Sequence, residues 1–255
     1  MIEVTVELAV LLLLAAFVAG FVDSIAGGGG LITVPVLLLC GASPITALAT
    51  NKIQGSFGAA TAAFSYACAG HVDLRRQLPS AMIAFAAGIA GALFATAVPT
   101  ETLRLALPVI LIGIAAFFAL KPGLTDQDRA KRMRPAVFTT LIVPAIGAYD
   151  GLIGPGAGAF YMVGFVLLAG YGVLKATAHT KLLNFASNLG GLIAFSLTGA
   201  PMWGIGLAMG LAQIAGATIG SRLAMRIGAQ LIKPLLVITS TLLAVRLLWQ
   251  TVAAG

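Results

Sequence analysis

Gly20-Phe-Val-Asp23-Ser-Ile-Ala-Gly27-Gly-Gly-Gly30 joins an aspartate to a glycine-rich run, and this pattern occurs twice in the chain. The second copy, Gly147-Ala-Tyr-Asp150-Gly-Leu-Ile-Gly154-Pro-Gly-Ala157, lies 127 residues later. Further along, Ala49–Gln54 matches His179–Asn184 less exactly. Matches at a nearly constant offset indicate an internal repeat. We therefore predict two copies of one structural unit, each with a glycine-rich break beside an aspartate.

The composition of the whole chain is that of a membrane protein. The 255-residue chain is 60% hydrophobic and 9% charged, whereas a soluble domain carries about 25% charged residues. Long unbroken apolar runs, such as Ala81–Val98, Leu105–Leu120 and Leu235–Leu248, suit helices that cross a bilayer. Strands of a membrane barrel would instead alternate apolar and polar residues. The fold class predicted is an all-α polytopic integral membrane protein.

The segment lengths predict how each repeat crosses the membrane. We place the first repeat at residues 1–121, a basic linker at 122–134 and the second repeat at 135–255, with about five helical segments in each repeat. The apolar piece Leu31–Cys40 would be about 15 Å long as a helix, too short to cross alone. A re-entrant hairpin is the simplest arrangement, and three crossings would follow it. An odd number of crossings makes the repeats inverted, so that both glycine-rich tips approach the membrane midplane from opposite faces. The alternative, in which all ten segments cross as shortened helices, also gives inverted repeats.

Basic residues set the predicted orientation. Eleven of the 15 Lys and Arg side chains lie in short connections: Arg75, Arg76, Lys121, Arg129, Lys131, Arg132, Arg134, Lys175, Arg222, Arg226 and Lys233. Short basic loops mark the cytoplasmic face of a membrane. The topology above puts all of them on that face and both termini in the periplasm. The net charge of +7 is thus explained without a nucleic-acid partner, and lipid headgroups are the expected contacts of these loops.

The two tips are candidate anion sites. Glycine permits backbone geometries closed to other residues and leaves amide N–H groups uncovered, and a helix N-terminus that follows such a turn favours an anion. Close helix packing is the competing explanation for glycine in membrane helices. The candidate tip residues are Gly27, Gly28, Gly29, Gly30, Gly154, Gly156 and Gly158.

Two lysines within apolar segments indicate the sign of the charge on the substrate. An ammonium group at the depth of Lys52 or Lys181 costs at least about 2.5 kcal/mol to insert, and so needs a partner. The partner is either a bound anion or one of the two aspartates, Asp23 and Asp150, which are the only carboxylates at similar depth. Both states can alternate, in which case the aspartates couple or gate anion binding. Snorkelling to the interface is a third possibility.

Amide side chains continue from each lysine along one helix face. Lys181, Asn184 and Asn188 are spaced i, i+3 and i+7, and the first copy carries Asn51 and Gln54 near Lys52. Such amides can hold oxyanion oxygens without adding charge, or can form ordinary interhelical hydrogen bonds. We predict that they contribute to the anion site.

Known catalytic motifs are missing from the sequence, and we predict that the protein is not an enzyme. The sequence has no Ser/His/Asp grouping, no HExxH and no P-loop, and Cys40 and Cys68 have no metal-ligand spacing. No cofactor and no metal are predicted. The expected partners are a small anionic substrate and membrane lipids, with a homodimer left open.

The paired motifs, together with Lys175-Ala-Thr-Ala-His-Thr-Lys181 and the asparagines that follow, resemble the TauE/SafE family of sulfite exporters, especially its YfcA-like subgroup. The resemblance covers nearly the whole chain. It implies a permease of the bacterial inner membrane that exports a small sulfur-containing anion, such as sulfite or an organosulfonate. Inverted repeats with broken helices are the design of secondary transporters with alternating access. The alternatives are a passive anion channel and a permease for another small anion, such as a carboxylate.

Overall fold

The described part of the chain is entirely helical. A computed structural model describes residues 5–103, 105, 106, 109, 127, 128, 130–228, 230 and 234, and contains no strand there. Eight helices are complete: α1 (Val6–Ala26), α2 (Gly30–Leu39), α3 (Pro44–Cys68), α4 (Leu74–Ala97), α5 (Pro135–Leu152), α6 (Ala157–Leu167), α7 (Val173–Leu197) and α8 (Trp203–Ile227). The apolar run at 81–98 belongs to α4, whereas most of the runs at 105–120 and 235–248 lies outside the described residues.

Four of these helices are long and apolar enough to cross a membrane, namely α1, α4, α5 and α8. Large apolar side chains such as Leu14, Phe94 and Leu211 are exposed on them, as expected of surfaces that face lipid. Helices α3 and α7 have 25 residues each, about 37 Å of helix, but carry polar side chains. These polar side chains are buried against neighbouring helices. The prediction of an all-α polytopic membrane protein is confirmed.

Local sequence signals explain where the helices begin. Ser43 caps α3 by accepting a hydrogen bond from the Thr46 amide, with Pro44 in the first turn, as the sequence predicted. The carboxylate of Asp73 caps α4 in the same way. Helix α5 contains a π-helical turn at Phe138–Ile142, which ends two residues before Pro144. A proline within a helix lacks the N–H group and crowds the carbonyl one turn earlier, and a widened turn relieves that crowding.

Two short helices follow the glycine-rich breaks. Helices α2 and α6 have 10 and 11 residues, about 15 Å each, within one to three residues of the predicted segments 31–40 and 157–170. Each folds back along its predecessor. The last residues of α2 lie at the same end of the molecule as Leu8 near the start of α1. Likewise, the backbone N–H of Met133, just before α5, donates to the carbonyl of Leu168, at the end of α6. Both breaks are therefore hairpin tips.

The two hairpins open at opposite ends of the molecule. One end, the basic end, has a cavity lined by residues from the start of α4, the start of α5, the loop after α6 and the first half of α7, including Arg76, Lys131 and His179. The other end gathers the starts of α1, α3 and α8 with the ends of α2 and α7. Helix α1 packs on α8 as α5 packs on α4, and α3 packs on α8 as α7 packs on α4. These contacts support the inverted repeat, which stays a prediction together with its membrane orientation.

Candidate functional site

The tips of the two hairpins contact each other at the centre of the helix bundle. Gly27 has φ +75°, and a methyl group on its Cα would lie 2.4 Å from the backbone N of Ala159. A methyl on Gly158 would in turn lie 3.2 Å from the Cα of Gly27. Only glycine allows this backbone conformation and this separation without strain. The glycines thus serve close packing, one of the two explanations that the sequence left open.

Lys52 forms a tight ion pair with the aspartate of the opposite half of the chain. Its Nζ lies 2.6 Å from Oδ1 of Asp150 and also donates to the Asp150 backbone carbonyl. The two side chains are 0% and 1% exposed. The second carboxylate oxygen of Asp150 accepts hydrogen bonds from Ser187 Oγ at 2.5 Å and from Asn188 Nδ2 at 3.2 Å. Every oxygen of this buried carboxylate has a partner, as a charge in this environment requires.

Lys181 pairs with the other aspartate, also across the two halves of the chain. Its Nζ donates to the backbone carbonyl of Asp23 and lies 3.6 Å from Oδ2 of the same residue. Oδ1 of Asp23 accepts hydrogen bonds from the backbone N–H groups of Gly28 and Gly29, at 2.9 and 3.1 Å. Each lysine thus pairs with the aspartate of the other half of the chain, which is one of the partners that the sequence left open. The structure also shows that amides of the first tip already bind a carboxylate.

The predicted amide stripe is buried at the same place. Asn184 and Asn188 are each 5% exposed and are joined by a hydrogen bond of 3.0 Å. Asn51 accepts a hydrogen bond of 2.7 Å from Thr33 of α2. Gln54 is fully buried, and its Oε1 has no hydrogen-bond partner among the described residues. Part of the stripe therefore provides the interhelical hydrogen bonds that the sequence left as an alternative.

A small cavity lies between the tips. Its volume is about 20 Å³, which is room for about one water molecule. An oxyanion would enter only if the tips moved apart. Eleven of the predicted residues line it: Asp23, Gly28, Gly29, Gly30, Asn51, Asp150, Gly154, Gly156, Gly158, Asn184 and Asn188. The other four, Gly27, Lys52, Gln54 and Lys181, lie next to it and not on its wall.

Sequence reasoning missed three polar residues of the site. Ser187 binds Asp150, Thr33 binds Asn51, and Gln213 of α8 lines the cavity. Ser187 lies between Asn184 and Asn188 on α7, so the extended stripe would have included it. Gln213 is an isolated amide in an otherwise apolar span, and that isolation was the available signal.

No group of three potential metal ligands from His, Cys, Asp and Glu exists within the described part of the chain. The polar atoms of the site are carboxylates, ammonium groups, amides and backbone N–H groups. Such a set can bind and release a charged solute or a proton.

Comparisons with known proteins identify the family of the chain. The sequence profile described as sulfite exporter TauE/SafE matches residues 12–247. A probable membrane transporter protein, ORF9, from Sinorhizobium sp is 55% identical over 246 residues, 96% of this chain and 94% of the relative.

More distant relatives carry similar descriptions. The probable membrane transporter protein YfcA of Escherichia coli K12 is 42% identical, over 94% of this chain and 89% of the relative. A probable membrane transporter protein of Haemophilus influenzae is 36% identical, over 97% of both chains. No solved structure matches the chain. The chain belongs to the TauE/SafE family and is a membrane transporter, not an enzyme.

Proposed function

We propose that this transporter exports a small sulfur-containing anion, sulfite or an organosulfonate, across the bacterial inner membrane by alternating access. The observation that carries the proposal is the pair of fully buried ammonium groups, Lys52 and Lys181, placed beside the contact of two hairpin tips. Two cations at the centre of a membrane bundle are costly, and a site for anions gives them a function. The description of the family supports a sulfur oxyanion as the substrate.

The hairpin geometry supports alternating access over a permanent pore. The tips open towards opposite ends of the bundle, and the cavity between them holds about one water molecule. In this proposal the two repeats rock about the site, which exposes it first to one face and then to the other. The basic end faces the cytoplasm and both termini face the periplasm, following the positive-inside rule. Residues 1–121 and 135–255 are the two moving repeats.

Sulfite flux into proteoliposomes tests the proposal. We expect Lys52→Met and Lys181→Met each to abolish saturable flux, because each removes one central cation. Lys175→Met is the matched control, since Lys175 is on the same helix as Lys181 but is exposed and paired with Asp128. Size-exclusion profiles of all three variants show whether they remain folded.

Counterflow separates a carrier from a channel. Unlabelled sulfite preloaded inside the vesicles should drive transient accumulation of external labelled sulfite if the site alternates, and should not do so through an open pore. Unchanged flux in both central lysine variants would contradict the anion role. Flux without saturation or counterflow would favour the channel instead.

A further inference from the structure

The two aspartate–lysine pairs differ in how firmly they are held. Lys52 and Asp150 are in direct contact at 2.6 Å, and both are fully buried. Lys181 and Asp23 are separated by 3.6 Å, beyond hydrogen-bonding distance between the charged groups, and Asp23 is 13% exposed. The Asp23 carboxylate is therefore the less tightly bound of the two.

The groups that bind the two carboxylates differ in kind. Asp150 is held by side chains of α3 and α7, namely Lys52, Ser187 and Asn188. Asp23 is held by the backbone N–H groups of Gly28 and Gly29 at the start of α2. Consecutive backbone N–H groups at a helix N-terminus are the arrangement that proteins use for phosphate and similar oxyanions. A carboxylate from the protein itself fills that arrangement.

An unpaired amide side chain points to a ligand at the same place. Gln213 is 2% exposed and lines the cavity with Asp23, Gly28 and Gly29. Its side chain forms no hydrogen bond among the residues that the structure describes. The amide group of Gln213 can donate a hydrogen bond, and an anion in the cavity would accept it.

Charge balance limits how an anion can enter. Lys52, Lys181, Asp23 and Asp150 together carry no net charge, so an added anion would be an unpaired buried charge. Displacing Asp23 frees two backbone N–H groups to bind the anion. It also leaves the Lys181 ammonium group to pair with the anion. Displacing Asp150 would break a direct buried ion pair and two further hydrogen bonds.

We propose that the Asp23 carboxylate is a tethered competitor of the substrate. The anion takes its place on the Gly28 and Gly29 amides, beside Lys181 and Gln213, and the displaced Asp23 takes up a proton. The Lys52–Asp150 pair stays intact and anchors the second hairpin. This inference rests on the function proposed above. It adds that an anion and a proton bind together on the Asp23 side of the cavity.

The charged and titratable groups on the helices around Asp23 are the other candidates for the proton. Lys181 faces it from α7, Tyr66 from α3 through a hydrogen bond to the Ser24 carbonyl, and Asp150 lies across the cavity on α5. Helix α2 has no titratable residue, and the one on α6 is Tyr161, whose hydroxyl donates to the Val143 carbonyl. The arginines of α8, Arg222 and Arg226, are exposed. None of these neutral or paired groups would take up the proton in place of a displaced carboxylate.

Calorimetric titration of the purified full-length chain with methanesulfonate tests the proposal, because this anion keeps its charge from acidic to neutral pH. Titrations in buffers of different ionisation enthalpy count the protons taken up. We expect about one proton per bound anion at neutral pH, with affinity rising about tenfold for each unit by which the pH falls. Asp23→Asn should take up no proton and bind with pH-independent affinity, since its neutral side chain no longer competes as an anion. Gln213→Leu should weaken binding and leave the proton count unchanged.

Asp128→Asn is the control, because it removes a carboxylate that is exposed and lies outside the cavity, and it should retain the proton uptake. If this variant fails to elute as a folded protein, the proton count of the wild type and of Asp23→Asn still decides. Binding without proton uptake in the wild type, or uptake that persists in Asp23→Asn, would overturn this inference and leave the proposed function standing. If neither the wild type nor any folded variant binds sulfite, sulfate or methanesulfonate, the proposed function fails, and this inference fails with it.

Discussion

Gly27 is a residue at which the two hairpins are in close contact. It combines a positive φ of 75° with a neighbouring backbone 2.4 Å from any added methyl group. Gly41 has a similar φ of 87° but has open space around it. Adding a side chain at Gly27 therefore has two costs: backbone strain, about 1–3 kcal/mol at a φ of 75° and a ψ of 145°, and displacement of the second tip.

We expect Gly27→Ala to lower the melting temperature at least about twice as much as Gly41→Ala, because only the first change adds a steric clash to the strain. Melting followed by fluorescence-detected size exclusion provides the measurement. Equal losses in the two variants would show that contact between the tips does not contribute to stability.

Lys52 is the second residue whose replacement should lower the stability of the protein by an amount that can be estimated. Lys52→Met leaves the Asp150 carboxylate buried without its cation, and breaking a buried pair costs about 3–5 kcal/mol. The neutral double variant Lys52→Met/Asp150→Asn should recover much of that loss, because no charge remains unpaired. The measurement is a double-mutant cycle on thermal stability.

Lys181→Met is the comparison for this cycle. Asp23 keeps both amide hydrogen bonds in that variant, so we expect a smaller loss than for Lys52→Met. If the losses from Lys52→Met and Asp150→Asn simply add in the double variant, the two side chains do not interact in the way that their separation of 2.6 Å indicates.

At the scale of elements, the linker between the repeats is attached to the first turn of α7. Asp128 accepts a hydrogen bond of 2.7 Å from the Gly172 amide and forms an ion pair of 2.8 Å with Lys175. The hydrogen bond from Lys175, followed by that from Gly172, lowers the pKa of Asp128 below its ordinary value. Because α7 carries Lys181 and the asparagine stripe, this contact helps to fix the start of the helix that builds half of the site.

We expect Asp128→Asn to lower stability at neutral pH by less than about 1 kcal/mol, since both partners are roughly half exposed. A lowered folded-state pKa means that the stabilisation is complete above the unfolded pKa and is lost as the pH falls through the folded value. Melting curves of variant and wild type should therefore differ at pH 7 and converge below about pH 3.8, the ordinary value. A difference that persists at all pH values would mean that the charge of Asp128 is not responsible.

Elements with local signals were predictable from sequence, and contacts between distant elements were not. Ser43-Pro44 marked the start of α3 because capping depends on neighbouring residues alone. The glycine runs marked both tips for the same reason. By contrast, the sequence could not predict that Lys52 pairs with Asp150 and not with Asp23, which is nearer along the chain. The partner depends on how the two hairpins pack together. Gln213 was missed because α8 reaches the cavity only through packing against α1 and α3.

At the scale of the whole molecule, the orientation of the bundle is testable with its own two cysteines. Cys68 ends α3 and is exposed near the loop of the basic end, whereas Cys40 is half-buried at the opposite end, beside Ser43 and Trp203. The sequence contains no other cysteine. Cys40→Ser and Cys68→Ser therefore each leave one reporter thiol, separated from the other reporter by the length of α3.

A membrane-impermeant maleimide should label Cys68 only in inverted vesicles and Cys40 only in right-side-out vesicles, because the proposed topology puts the basic end in the cytoplasm. Labelling of Cys40 should also be slower, since a half-buried thiol is less accessible. Detergent-solubilised samples of both variants control for reactivity. Reversed labelling would place the basic loops in the periplasm and invert the proposed direction of each hairpin. Labelling of both thiols from the same side would mean that α3 does not cross, and the inverted-repeat prediction would then fail.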